Sequence, residues 1–186
     1  MLMKRVFPFV FSVMLVLSFN SSAQAEFFSV SAGVPVAHNL SNSDLDADGV
    51  SGYLVHFKLP IMLGLGLESY ETKIDHTSDL VTDMKLKTTM YDIFWLLPIP
   101  IINITIGAGL GSAEMTCDVA PDKDCGFYYD KGAVTQFWGQ FGVPIFPFID
   151  LHVSYHQISG DVKGKEGADD ESVDSTLYAI GASIIF

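Results

Sequence analysis

The sequence predicts an all-β fold, an eight-stranded antiparallel up-and-down transmembrane β-barrel preceded by a cleavable signal peptide. Three observations carry the prediction. Tyr178, Ile180, Ala182, Ile184 and Phe186 fall on one side of a two-residue period, and the sequence stops on the aromatic. Such alternation marks a strand with one apolar face. Eight apolar stretches recur along the chain, each near the length of a tilted membrane-crossing strand. The connectors between them are alternately short and long, as in a barrel with turns on one side of a membrane and loops on the other.

Taken in order, residues 1–25 read as the signal peptide. Lys4 and Arg5 form a positive n-region, residues 6–19 an almost unbroken apolar core, and Ala23-Gln24-Ala25 the small residues of a cleavage site. Asn20, Ser21 and Ser22 end the run short of the roughly 20 apolar residues of a membrane helix. No Cys follows the core to suggest a lipoprotein anchor. Cleavage after Ala25 leaves residues 26–186 as one barrel domain.

Strands are expected at 27–36, 50–59, 61–71, 85–97, 101–112, 131–143, 148–159 and 175–186. No 3.6-residue period competes, and Gly64, Gly66, Gly107, Gly109 and Gly111 count against helices. The connectors after the second, fourth and sixth stretches are short and Pro-rich: Pro60, then Pro98-Ile99-Pro100, then Pro144-Ile145-Phe146-Pro147. The others, at 37–49, 72–84, 113–130 and 160–174, are long and polar. An even strand number lets the sheet close without an exposed edge, which lipid demands.

The two faces follow from the alternation. Ile102, Ile104, Ile106, Ala108 and Leu110 alternate with Asn103, Thr105, Gly107, Gly109 and Gly111. Ile149, Leu151, Val153 and Tyr155 alternate with Asp150, His152, Ser154 and His156, and Leu63, Leu65 and Leu67 with Gly64, Gly66 and Glu68. The first set of each suits lipid, and the second a filled lumen. Trp95, Phe146 and Phe148 are expected near the periplasmic rim, and Tyr70 and Tyr91 nearer the other, as aromatic girdles. A soluble sandwich or lipocalin-like barrel shares this alternation, with its apolar face turned inward. The terminal Phe, the Pro-rich turns and the one-sided loop lengths favour the membrane.

On these features the chain resembles the small eight-stranded bacterial outer-membrane barrels of the OmpA and OmpX type. The resemblance rests on the strand-loop rhythm over nearly all of the mature chain. It rests also on a C-terminal assembly signal, here Phe186, Ile184, Ala182, Ile180 and Tyr178. It implies insertion by the outer-membrane assembly machinery, in a Gram-negative outer membrane, with loops extracellular and termini periplasmic. It implies no single activity, since such barrels include anchors, adhesion factors, narrow channels and a few lipid-modifying enzymes.

Composition narrows the function classes. The chain is 49% hydrophobic with 14 Phe, yet its net charge is −12. Loss of Lys4 and Arg5 makes it more acidic and removes its only Arg. Such a chain is a poor candidate for nucleic acid or for clamping lipid phosphates. Most of the acids fall in the four long connectors, so the loops are expected to crown the barrel with negative charge. They would bind calcium or magnesium diffusely or dock a cationic partner.

Asp44-Leu45-Asp46-Ala47-Asp48-Gly49 reads D-x-D-x-D-G, the opening of a calcium loop, and Asp44, Asp46 and Asp48 are its candidate ligands. The twelfth position, where an EF-hand needs Glu, is Val55. Cys117 and Cys125, the only cysteines, flank a short polar segment and are expected to form a disulfide in an exported protein. Asp150, His152 and Ser154 supply the residue types of a hydrolytic triad. Lipid A deacylases also carry a His-x-Ser on the penultimate strand. A Ser and His two apart on one strand are about 6.7 Å apart, which strains a direct bond. The preferred reading is a lumen network of His56, Lys58, Glu68, Asp92, Asp150, His152 and His156, joined by Gln136 and Gln140, with Lys58 paired to Asp92 or Asp150. The expected protein is a monomeric, non-enzymatic structural or surface-interaction barrel among outer-membrane lipid and lipopolysaccharide. It carries no cofactor beyond calcium in its loops. The alternatives are a narrow channel and, more remotely, a lipid hydrolase.

Overall fold

The computed structural model describes residues 28–41, 46–60, 62–75, 82–97, 99, 102–118, 129–146, 148–165 and 170–186, so the expected signal peptide lies outside the described residues. The strands are β1 (Ser29–Leu40), β2 (Asp46–Lys58), β3 (Leu63–Asp75), β4 (Thr82–Leu97), β5 (Asn103–Asp118), β6 (Tyr129–Asp130), β7 (Gly132–Phe146), β8 (Ile149–Gly164), β9 (Glu171–Ser172) and β10 (Ser175–Ile185). Eight of them are long, and each pairs antiparallel with the long strand before and after it. The ring closes because β10 pairs with β8 on one edge and with β1 on the other, Val30 opposite Ile184 and Val34 opposite Ile180. No helix occurs among the described residues. The expected eight-stranded up-and-down barrel is the fold.

The outer surface explains why these strands are where they are. Outward residues near the short turns are apolar: Val30, Val34 and Val36 on β1, Ile106 and Leu110 on β5, Leu151 and Val153 on β8. Water does not reward this arrangement, and hydrocarbon does. On every long strand the apolar run then stops at a small or polar outward residue: Asn39, Ser51, Ser69, Thr89, Ser112, Thr135, Gln157 and Thr176. Tyr53, Tyr91, Tyr155 and Tyr178 sit just below that line, exposed, as interfacial aromatics do. Phe28, Trp95, Phe146, Phe148 and Phe186 ring the opposite, turn end.

Beyond the hydroxyl line the strands continue, and their polarity reverses. Glu71, Lys73 and Asp75 on β3, and Asp161 and Lys163 on β8, now face outward. Inside, Tyr70, Ile74, Leu86, Met90, Met115, Val134, Ile158, Val162 and Leu177 form an apolar core. This loop-end portion is built like a small water-soluble barrel standing on a membrane-spanning one. Two expectations are corrected here. The strands are longer and the connectors shorter than alternation of apolar residues alone suggested, because charged outward residues in the extensions resemble loop. Tyr70 is 1% exposed and belongs to the interior, not to a girdle.

The inner wall is made to fit by pairing bulk with glycine. One inward row runs Lys58, Gly64, Phe94, Gly107 and Trp138 across β2 to β7. The next runs His56, Gly66, Asp92, Gly109 and Gln136. A Cβ on Gly64 would lie 2.0 Å from the Phe94 ring, and one on Gly107 would lie 2.3 Å from the Trp138 ring. Alternating large and small residues is how an eight-stranded lumen is filled.

Candidate functional site

The lumen has three levels. At the loop end lies the apolar core, topped by Val173 and the partly buried Tyr129 from the short β9–β10 and β6 segments. His38 reaches into this level, with Nδ1 2.5 Å from Thr72 Oγ1 and its ring edge-on to Tyr70. Below it is a polar cluster centred on Glu68, which is fully buried. At the turn end is a small chamber of about 30 Å³, lined among others by Lys58, His56, Trp138, Asn103, Asp150 and Ser183.

The polar cluster is densely bonded. His56 Nε2 lies 3.2 Å and His156 Nδ1 3.4 Å from Glu68 Oε1. The Gln136 amide donates to Glu68 Oε2 at 3.0 Å and to Asp92 Oδ1 at 2.6 Å. The Trp138 indole N–H donates to the same Asp92 oxygen at 3.2 Å. Its ring stacks on both His56 and His156, with centroids 4.9 Å and 5.5 Å away. Stacking fixes the ring planes, and the carboxylates fix their rotation. Two carboxylates thus share an interior whose contacts are amide, indole and imidazole groups.

All seven residues expected to form the lumen network face inward and are buried. They divide between two levels. His56, Glu68, Asp92 and His156 meet in the cluster. Lys58 and Asp150 line the chamber below, where the Asn103 amide donates to the Asp150 carboxylate. His152 Nδ1 is 3.2 Å from Ser183 Oγ, itself 2.7 Å from Ser31 Oγ.

The Ser154 hydroxyl lies 2.8 Å from Nε2 of His156, two residues along the same strand. The strain argument against a same-strand Ser–His bond is therefore overturned for this pair. Nε2 is the far atom of the ring and spans the gap between alternate Cα positions. With Glu68 behind His156, the order Ser154, His156, Glu68 follows the logic of a nucleophilic triad. Ser154 is 7% exposed and is not among the residues lining the turn-end chamber.

The remaining sequence candidates lie elsewhere. Asp44 is outside the described residues, while Asp46 and Asp48 belong to β2. Gly49, at φ 120°, sits in the irregularity between Ala47 and Val50, where only glycine is unstrained. Cys117 is near the end of β5, and Cys125 is outside the described residues. The assembly-signal residues Tyr178, Ile180, Ile184 and Phe186 are exposed on the apolar band, with Ala182 half-buried among them. On the loop-end wall Lys163 Nζ is 2.6 Å from Asp170 and Lys165 Nζ 2.5 Å from Asp130. The Lys163 hydrogen bond, with that of the Gly164 amide, holds the Asp170 carboxyl below its ordinary range. Trp138, Phe94 and Met90 are site residues that sequence reasoning missed. Their parity with Gln136 and Asp92 was the available signal.

No protein-family model matches the chain, and no curated protein matches it by sequence. Solved structures do match. Neisserial surface protein A (NspA) is 13% identical with a TM-score of 0.65, over 87% of this chain and 97% of that one. Outer membrane protein AlkL, solved in DMPC lipid bilayers, is 12% identical with a TM-score of 0.54, over 86% and 90% of the two chains. Outer membrane protein W of E. coli is 14% identical with a TM-score of 0.54, over 86% and 97%. The likeness is one of fold, that of the small eight-stranded outer-membrane barrels.

Proposed function

We propose that the chain is an integral outer-membrane protein of a Gram-negative bacterium that acts as a monomeric structural or surface-interaction protein. In this reading its termini face the periplasm and its loop end faces outward. It moves nothing through its lumen. The observation that carries the reading is the closed interior. An apolar core fills the loop end, and the bonded cluster of Glu68, Asp92 and Gln136 fills the middle. A lumen of this kind is a plug. The buried position of Ser154 supports a non-enzymatic role for the same reason.

What such a protein offers a partner is the wall and loops beyond the membrane. That wall is acidic on balance, and cations or a basic partner would offset it. Within it Lys73 stands directly across from Lys85, while the neighbouring Lys87 stands between Glu71 and Glu114. Like charges opposed in this way repel when bare. Lipopolysaccharide phosphates at headgroup level would relieve them. Refolded protein in planar bilayers should therefore give no current steps above the bare membrane. Sustained steps that change when Asp92 is replaced by Asn would assign a channel instead.

A further inference from the structure

We propose that His56, Glu68 and Asp92 form a binding site for one divalent transition-metal ion of the zinc type, entered from the turn end of the barrel. The three residues come from adjacent strands, β2, β3 and β4, and each turns its side chain to the same point in the lumen. One ligand atom from each lies within 4.8 Å of the other two. The His56 Nε2 to Glu68 Oε1 separation of 3.2 Å matches an edge of a tetrahedron with bonds of about 2.0–2.1 Å. The Asp92 carboxylate, with a ligand atom within 4.8 Å of both, completes the set.

Independent features point the same way. Asp92 is 3% exposed, and while Oδ1 takes bonds from Gln136 and Trp138, Oδ2 has no hydrogen-bond partner. A buried carboxylate oxygen left bare is costly. A divalent ion would satisfy it and balance the charge of the two carboxylates. The supporting shell is already in place. Gln136 bridges both carboxylates, His156 backs Glu68, and Trp138 stacks on His56. Such outer partners orient first ligands and sharpen affinity. One imidazole with two carboxylates favours zinc-like ions over calcium, which prefers six or more oxygens. His56 also lines the turn-end chamber, whose volume of about 30 Å³ holds about one water. That chamber would admit the ion beside His56 together with a water as fourth ligand. The apolar core closes the other end.

The test uses the full mature protein, refolded in detergent, stripped with EDTA, and titrated with Co²⁺ and then Zn²⁺. One Co²⁺ per barrel is expected, with the visible absorption of a tetrahedral nitrogen–oxygen site and no thiolate charge-transfer band from Cys117 or Cys125. Zn²⁺ should displace it and raise the melting temperature. Asp92→Asn and His56→Gln should each weaken binding on the order of 100-fold or more, since ligand loss exceeds the usual effect of an outer-shell change. Two near-isosteric variants are used so that one failing to fold leaves the other to decide. No stoichiometric Co²⁺ in the wild type, a thiolate band, or binding untouched in a folded variant would overturn the site.

Discussion

Arginine at Val153 should destabilise the refolded barrel by about 2–4 kcal/mol, whereas the same change at Gln157 should cost about 0–1 kcal/mol. Both residues face outward on β8, and both are exposed. Val153 lies below the line of polar outward residues, and Gln157 lies on it. Val153 is flanked on its face by Leu151 and Tyr155, in the apolar band, while Gln157 is followed by Ser159 and Asp161. A charge placed in hydrocarbon loses its hydration, and one placed above it does not. Urea titration of folding in lipid vesicles measures both costs. Equal costs at the two positions would mean that the band is not a membrane boundary.

A second large effect is expected inside. Glu68→Ala should lower stability by about 3–5 kcal/mol, because removing one partner of a buried ionic network leaves the others uncompensated. His56, His156 and Gln136 all direct polar atoms at the Glu68 carboxylate, and the residue is fully buried. Glu68→Gln should cost less, since it keeps an acceptor for Gln136. The same urea titration, run in EDTA so that bound metal plays no part, separates the two variants. Wild-type stability in Glu68→Ala would show that the cluster contributes little to holding the barrel together.

Most of the fold could be read from the alternation of side chains, and the failures have one physical cause. On β8 the sequence Asp150, His152, Ser154, His156 against Leu151, Val153, Tyr155 sorts itself unambiguously, because polar and apolar residues take opposite faces. The same rule misleads where the surroundings change from lipid to water. Past Ser69 the outward residues are Glu71, Lys73 and Asp75, and the inward ones Tyr70, Thr72 and Ile74. A reader following polarity sees a loop, but one following parity from Glu68 sees the strand continue. Polarity alone puts Tyr70 on the wrong face for that reason. An aromatic on a membrane strand resembles a girdle residue, yet Trp138 shares the inward parity of Gln136 and Gln140 on either side of it. The bond from His156 to Ser154 depends on ring orientation set by Trp138 and Glu68, contacts that no single strand's sequence encodes.

All of this rests on the chain being a closed barrel embedded in the outer membrane, and heat-modifiable gel migration after membrane fractionation tests that most directly. The closed sheet leaves no edge at which detergent can begin to unravel it, so the folded form should survive sodium dodecyl sulfate until heated. The protein should be found in the outer-membrane fraction and run as a compact species when unheated, shifting to its extended position after boiling. Recovery in the soluble periplasm, with identical migration before and after boiling, would contradict the account.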